Sequence, residues 1–319
     1  MKKTILCLLL LAVLLCACAP AGEVAENNDG KPLIVCTVFP EYDWLRQLLG
    51  ERADRFDLRL LLHNGADMHS YQPSVEDMVA ISSCDMLVYV GGQSDRWLSD
   101  MLAGDEKPER IAVDLFDVLS GRLLEEELSP GMEEEEEEDG GVYDEHVWLS
   151  LKNAEIVCDR LTEQLSLLDP QGAEVYAVNN QAYQSQLQAL DADYRQTLDA
   201  APVKRLLFGD RFPFLYLVKD YQLAYDAAFP GCSAETEASF ETVTYLAGQL
   251  KTLGLPAVLT LENSASAIAE TIVKNSGAEN VAILTLNSMQ SVTDQEIDAG
   301  AAYLSIMEEN LQTLRQALN

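Results

Sequence analysis

Two of the three histidines in this chain of 319 residues lie in short polar motifs that are typical of metal-binding loops. His69 lies in the sequence Gly-Ala-Asp-Met-His-Ser-Tyr-Gln-Pro, and His146 lies in Tyr-Asp-Glu-His-Val-Trp-Leu-Ser. Neutral imidazole is the commonest side-chain ligand for zinc and related ions. The two histidines therefore indicate a transition-metal site, and because they are far apart in the chain, the fold has to bring them together.

Acidic residues stand next to both histidines. Asp67, Asp144 and Glu145 could orient an imidazole by accepting a hydrogen bond from its second nitrogen, although acids in loops are often simply solvated. Since only neutral imidazole binds a metal, we expect protonation near pH 6 to weaken binding. His63 lies outside the motif, and we expect it at the surface.

The acidic run Glu133 to Glu138, followed by Asp139, precedes the second motif. The negative charges of such a run repel one another, so it is typical of a disordered loop. The alternative is that it binds cations with low affinity or forms a lid beside the cleft. The formal net charge of −32 argues against binding to nucleic acid or to anionic lipid surfaces. Hydrophobic residues make up 48% of the chain, which is enough for one large core or two medium ones.

The N-terminus resembles a bacterial lipoprotein signal. Lys2 and Lys3 precede an apolar stretch, residues 5–15, that is too short to span a membrane as a typical helix. The signal would cover residues 1–17, and Cys18, after a small residue, would be lipidated; an ordinary cleaved signal is the alternative. A flexible tether is expected at residues 18–31.

Strands that alternate with helices predict an α/β fold with two Rossmann-like parallel-sheet lobes. The N-terminal lobe would span residues 32–168, with an acidic loop at 125–145, and the C-terminal lobe residues 202–319. The predicted strands are 33–39, 58–62, 86–90 and 111–115 in the first lobe, and 204–208, 223–228, 258–261 and 281–286 in the second.

A linking helix at residues 169–201 joins the two lobes. Asp169 and Pro170 suggest its start, with the aspartate as N-cap. In parallel sheets ligands bind beyond the carboxyl ends of the strands. His69 and Asp210 both follow predicted strands closely, which predicts a ligand cleft between the lobes.

The order of lipoprotein signal, His69 motif, acidic insert, His146 motif and long helix resembles the zinc- or manganese-binding solute-binding lipoproteins of metal ABC import systems. The resemblance covers essentially the whole mature chain. It implies two lobes bridged by a rigid helix, with two metal ligands from each lobe. By motif match, His69 and His146 are the pair from the N-terminal lobe.

The C-terminal lobe departs from the family pattern. Arg211, which cannot bind a metal, stands where the third ligand is expected, so Asp210 is the nearest candidate. The fourth position falls near Asn287, and Glu262 or Cys232 are substitutes. Arg211 could pair with an acid such as Glu262 or Glu235, or it could occupy the ligand position as a built-in cation.

The resemblance implies a monomeric receptor that carries Zn²⁺, or else Mn²⁺, to an ABC permease and is lipid-anchored at the outer face of the cell membrane. A receptor for another ligand or an adhesin, with a degenerate metal site, is the alternative. A zinc hydrolase is disfavoured because the catalytic motifs of known hydrolases are missing from the sequence. The remaining cysteines are expected as buried thiols, although disulfides are open: Cys36, Cys84, Cys158 and Cys232.

Overall fold

The computed structural model describes residues 30–104, 107–132, 142–233 and 237–319. The expected lipidation site Cys18, nearly all of the tether and the acidic run 133–139 lie outside these ranges, as does Glu235. Residues Pro32–Asn319 form one compact unit. Among the described residues, no helix combines the length and the apolar character needed to cross a bilayer.

The first lobe is a four-stranded parallel sheet in the order β2-β1-β3-β4. Its central strand β1 is fully buried, and Ile34 pairs with Leu58 on one side and with Met86 on the other. Continuous apolar runs suit such strands because helices cover both faces of the sheet. The strands are β1 Leu33–Cys36, β2 Asp57–Leu60, β3 Met86–Tyr89 and β4 Ile111–Asp114. The helices are α1 Phe39–Leu49, α2 Val75–Ser83, α3 Arg96–Ala103 and α4 Leu115–Val118.

Two long antiparallel helices connect the lobes: α5 Leu151–Leu168 and α6 Ala173–Ala200. With 28 residues, α6 is about 42 Å long at a rise of ~1.5 Å per residue. Its buried side chains recur at spacings of three, four and seven residues and form an apolar stripe against the core: Tyr176, Asn180, Tyr183, Leu187, Leu190, Tyr194 and Leu198.

The start of the linking helix differs from the prediction. A 3₁₀ turn, Pro170–Gly172, precedes α6, and Asp169 makes no capping hydrogen bond. The Asp169 carboxylate instead accepts hydrogen bonds from Tyr176 Oη, at 2.6 Å, and from the guanidinium of Arg52. These side chains compete successfully for an oxygen that would otherwise cap the helix.

The second lobe repeats the architecture with the strand order β6-β5-β7-β8, again parallel. Its strands are β5 Arg205–Phe212, β6 Ala224–Pro230, β7 Ala257–Leu261 and β8 Ala282–Leu286. Its helices are α7 Leu215–Tyr221, α8 Phe240–Leu253, α9 Ala267–Ser276, α10 Asp294–Asp298 and α11 Tyr303–Ala317. The predicted fold class, two parallel-sheet lobes joined by a long helix, is confirmed.

Buried hydrogen bonds fix the lobes to each other beside the His146 motif. Trp148 Nε1 donates to the carbonyl of Ser288 at 2.8 Å, and Tyr303 Oη donates to the carbonyl of Trp148 at 2.6 Å. The backbone N–H of Tyr303 donates to Asp43 Oδ2 at 2.8 Å. Because buried hydrogen bonds are costly to leave unmade, these contacts hold the loop after β8 against the loop that carries His146.

Candidate metal centre

The two motif histidines meet at the carboxyl ends of the strands. His69 Nε2 lies 3.2 Å from His146 Nε2, and the ring centroids are 5.2 Å apart. Two nitrogens bound to one tetrahedral zinc ion at about 2.0–2.1 Å would stand about 3.3 Å apart. The pair is therefore spaced to share one ion.

His69 is held from its far side by a relay of hydrogen bonds. Its Nδ1 lies 3.0 Å from Ser94 Oγ. Ser94 Oγ donates to Glu145 Oε2 at 2.5 Å, and Ser94 N donates to Glu145 Oε1 at 2.8 Å. Since the serine hydroxyl gives its proton to the glutamate, it can only accept from His69, so His69 carries its proton on Nδ1.

Gly92 makes room for this relay. It has φ +84°, and a Cβ placed on it would come within 3.0 Å of Glu145 Cγ. A side chain at this position would be strained and would also push away the carboxylate that holds Ser94.

His146 is fully buried and is oriented by its own motif. Asp144 Oδ1 lies 3.0 Å from His146 Nδ1 and also accepts the backbone N–H of His146 at 2.8 Å. The residue then leads into the 3₁₀ turn Val147–Leu149. An aspartate acceptor places the proton on Nδ1, so the lone pair of Nε2 faces His69.

The two imidazoles therefore point lone pairs at each other. This arrangement is the one that a bound metal needs. Burial, then the neighbouring positive charges, lowers the pKa of both His69 and His146 to about 3. Burial therefore shifts the pH at which protons would compete for these two histidines below the value near 6 that is expected for free imidazole.

Cys232 is the third side chain at this place that is of a type able to bind a metal. One ligand atom from each of His69, His146 and Cys232 lies within 4.8 Å of the other two. Cys232 follows β6, and its backbone N–H donates to Glu126 Oε1 at 3.0 Å. Burial, then the charges of Asp144 and Glu126, raises the pKa of the free thiol.

Gln290, which the sequence reasoning missed, completes the cluster. Its side-chain amide contacts His146 Nε2 and lies 3.5 Å from His69 Nε2. It stands three residues beyond Asn287 in the loop after β8. Met289 in that loop adopts φ 62°, and this left-handed turn redirects the chain so that Gln290 faces the histidines.

The structure gives Asp210, Glu262 and Asn287 other partners. Asp210 Oδ2 accepts the N–H of Leu261 at 3.1 Å, beside a register shift in β5, and so joins β5 to β7. Both oxygens of Glu262 accept hydrogen bonds from Ser288, each at 2.7 Å. Asn287 Oδ1 accepts the N–H of Met289 at 2.8 Å.

These three residues therefore act in this structure as hydrogen-bond acceptors for loops of the second lobe. Within the part of the chain that the structure describes, no Asp or Glu oxygen joins the cluster of His69, His146 and Cys232. His63, as expected, is half exposed, and its ring lies 3.1 Å from Asp294.

Arg211 forms an ion pair across the cleft. Its Nη2 lies 2.5 Å from Asp67 Oδ2, and its Nη1 donates to the carbonyl of Ser233 at 3.2 Å. Of the two acids expected to pair with it, Glu262 binds Ser288 instead, and Glu235 lies outside the described residues. Burial raises the pKa of Asp67, but the hydrogen bond and charge of Arg211 outweigh it, so the net pKa is lowered.

A cavity of about 480 Å³ opens between the lobes next to the histidines. Asp67, His69 and Ser70 line it from the first lobe. Arg211, Glu262 and the start of α9 line it from the second lobe. The cavity reaches His69 but leaves His146 covered, so an ion would enter past His69.

Comparisons with known proteins agree with this architecture. Residues 34–317 match the family model described as zinc-uptake complex component A, periplasmic (ZnuA). The zinc-binding lipoprotein AdcA of Streptococcus pneumoniae is 32% identical over 99% of this chain and 61% of its own length. The high-affinity zinc uptake system protein ZnuA of Bacillus subtilis is 27% identical over 98% of this chain and 95% of its own.

A solved structure extends the similarity to three dimensions. The Zn(II)-bound ZnuA-like domain of AdcA from Streptococcus pneumoniae matches with a TM-score of 0.72 at 29% identity, covering 91% of this chain and 99% of that domain. The chain spans only 61% of the length of the AdcA proteins that it matches. Since the family model covers nearly all the described residues, this chain belongs to the family of the periplasmic zinc-uptake component ZnuA.

Proposed function

We propose that this chain captures a divalent transition metal ion, zinc first and manganese second, outside the cytoplasm and delivers it to an ABC permease. The observation that carries the proposal is the 3.2 Å spacing of His69 Nε2 and His146 Nε2, with each Nδ1 engaged by a hydrogen-bonding partner. Such partners fix the tautomer and ring orientation that a metal ligand requires.

The surroundings of the pair support capture and release rather than catalysis. The ion would be held between two lobes and reached through one cavity, and binding needs only deprotonated ligands. The buried carboxylate of Asp144 beside His146 would offset part of the ion's charge. We therefore propose that the chain is a receptor and not an enzyme.

The names of the relatives and the N-terminal motif support a membrane partner and a lipid anchor for this chain. The relatives are named as lipoproteins or as components of zinc uptake systems. We propose that Cys18 is lipidated and holds the chain at the outer face of the cell membrane, where a monomer docks on its permease. Mass spectrometry of the mature N-terminus tests the anchor, since a diacylated Cys18 is expected and an unmodified N-terminus contradicts it.

Zinc-limited growth tests the proposed function in cells. A strain that lacks this chain should recover growth and cell zinc content with the wild-type chain but not with His146→Ala. Exposed Ser185 on α6, which does not line the cavity, provides a control, because Ser185→Ala loses only a hydrogen bond to the carbonyl of Gln181 in its own helix and should restore growth. Equal recovery with His146→Ala would mean that the histidine pair does not carry the function.

A further inference from the structure

We propose that Cys232 binds the captured ion as a thiolate, so that the site has a two-histidine, one-cysteine donor set and selects thiophilic ions over manganese. The proposal rests on the proposed function, because it concerns the same ion. It goes further by naming the third ligand and the class of metal that this ligand favours.

The first support is distance. For a tetrahedral ion with bonds of about 2.0–2.1 Å to nitrogen and about 2.3 Å to sulfur, the sulfur stands about 3.6 Å from each nitrogen. Cys232 Sγ lies no more than 4.8 Å from the histidine ligand atoms. A contraction of at most about 1.2 Å therefore closes the site, whereas the histidines already have nearly their final spacing.

The second support is the local backbone. A Cβ at Gly231 would stand 3.2 Å from His146 Cε1 and 2.8 Å from the carbonyl oxygen of Phe212. The glycine thus lets the chain after β6 pass directly against His146, which brings the next residue, Cys232, to the ion position. The hydrogen bond from Cys232 N to Glu126 Oε1 holds the loop there.

The third support is the chemistry of the donors that are present and absent. Thiolate and imidazole suit zinc, cobalt and copper, whereas manganese prefers carboxylate, carbonyl and water oxygens. Within the described residues, no carboxylate oxygen belongs to the cluster. Gln290 would offer its amide oxygen after rotation of the side-chain amide, which is a weak fourth ligand.

The test is cobalt and manganese titration of the purified full chain, compared with Cys232→Ser. A thiolate gives a thiolate-to-cobalt charge-transfer absorption that oxygen and nitrogen donors do not give. We expect one cobalt per chain with this absorption, zinc or cobalt bound far more tightly than manganese, and loss of the absorption in Cys232→Ser. The zinc affinity of that variant should fall by at least ~10-fold. This is the smallest loss expected when only a residue that hydrogen-bonds to a metal ligand is removed, and here a ligand itself is removed.

Cys84→Ser is the matched control, since this free thiol at the end of α2 donates to the carbonyl of Ile81. Thermal unfolding of both metal-free variants checks that they fold. Tight cobalt binding without the charge-transfer absorption, unchanged in Cys232→Ser, would overturn the role of Cys232 and leave the receptor function intact. An absence of tight binding of either zinc or cobalt to the wild-type chain would overturn both proposals.

Discussion

Arg211 and Asp67 form an ion pair of 2.5 Å that joins the two lobes at the mouth of the metal site. The second oxygen of Asp67 accepts the backbone N–H of His69 at 3.0 Å. One carboxylate therefore holds both the opposite lobe and the loop that carries a proposed ligand. Arg211 is thus linked to the backbone of His69 through Asp67.

We expect Asp67→Asn to weaken zinc binding by about tenfold or more, because the His69 loop loses its charged contact and Arg211 is left without a counter-charge. Arg211→Gln should weaken it less, since this change also removes a positive charge near the ion. Competition titrations of the two single variants and of the double variant give the coupling energy between Asp67 and Arg211 in zinc binding. The partly buried pair Arg59–Asp57, which does not line the cavity, supplies a control, Arg59→Gln, with no expected effect. Zinc affinity in Asp67→Asn equal to that of the wild type would contradict this role.

The relay behind His69 gives a second prediction. Ser94→Ala removes the hydrogen-bond acceptor of His69 Nδ1, so the ring loses its fixed tautomer and the zinc affinity should fall about 10- to 100-fold. Ser185→Ala, at an exposed position on α6 that does not line the cavity, should leave the affinity unchanged. If the two serine variants bind zinc equally well, Ser94 does not orient the ligand.

Deletion of residues 133–139 tests the acidic run. The loop is closed at its base by pairing of Glu125 with Tyr143 and by a 2.8 Å hydrogen bond from Glu126 N to the carbonyl of Val142, so the deletion can leave the base intact. We expect the tight zinc site to survive and only weak, salt-sensitive cation binding to decrease. Isothermal titration at low and high salt separates the two classes of site. Loss of the tight site in this variant would place a ligand in the acidic run.

The buried side chain of Glu41 leads to a prediction of how the free energy of unfolding depends on pH. Glu41 is fully buried, and its Oε1 has no hydrogen-bond partner among the described residues. Burial, then the like charge of Asp95, raises the pKa of Glu41 to about 8. The folded chain thus keeps a proton that the unfolded chain releases near pH ~4.3.

It follows that the contribution of Glu41 to the free energy of unfolding falls as the pH rises from about 4 to about 8, by a few kcal/mol, at ~1.4 kcal/mol per pKa unit. Urea unfolding of the metal-free chain at about pH 5 and about pH 8 measures the difference. Glu41→Gln should reduce it, whereas exposed Glu51→Gln should not. A difference that is the same in Glu41→Gln and the wild type would contradict the assignment.

The sequence predicted the lobes and the histidine pair because each depends on local patterns. Continuous apolar runs specify buried parallel strands, and both histidine motifs are short loops whose own aspartates hold the histidine backbone. The second lobe was harder to predict because its loops are arranged by long-range contacts. The turn at Met289 decides that Gln290, and not Asn287, faces the histidines.

The sequence offered Cys232 only as a substitute ligand, because the close approach allowed by Gly231, which brings the chain to His146, is not visible in the sequence. A search for metal-binding residue types just after each predicted strand finds Cys232 as well as Asp210. Gln290 carries no such signal, because glutamine is not a typical zinc ligand.

The central claim is that the histidine pair holds one metal ion. The most direct measurement is the metal content and competition affinity of the purified chain after it is stripped and reloaded with zinc. We predict one tightly held zinc per chain, and its loss in His69→Ala and in His146→Ala. No tight ion in the wild-type chain, or tight binding that persists in both histidine variants, would contradict the claim.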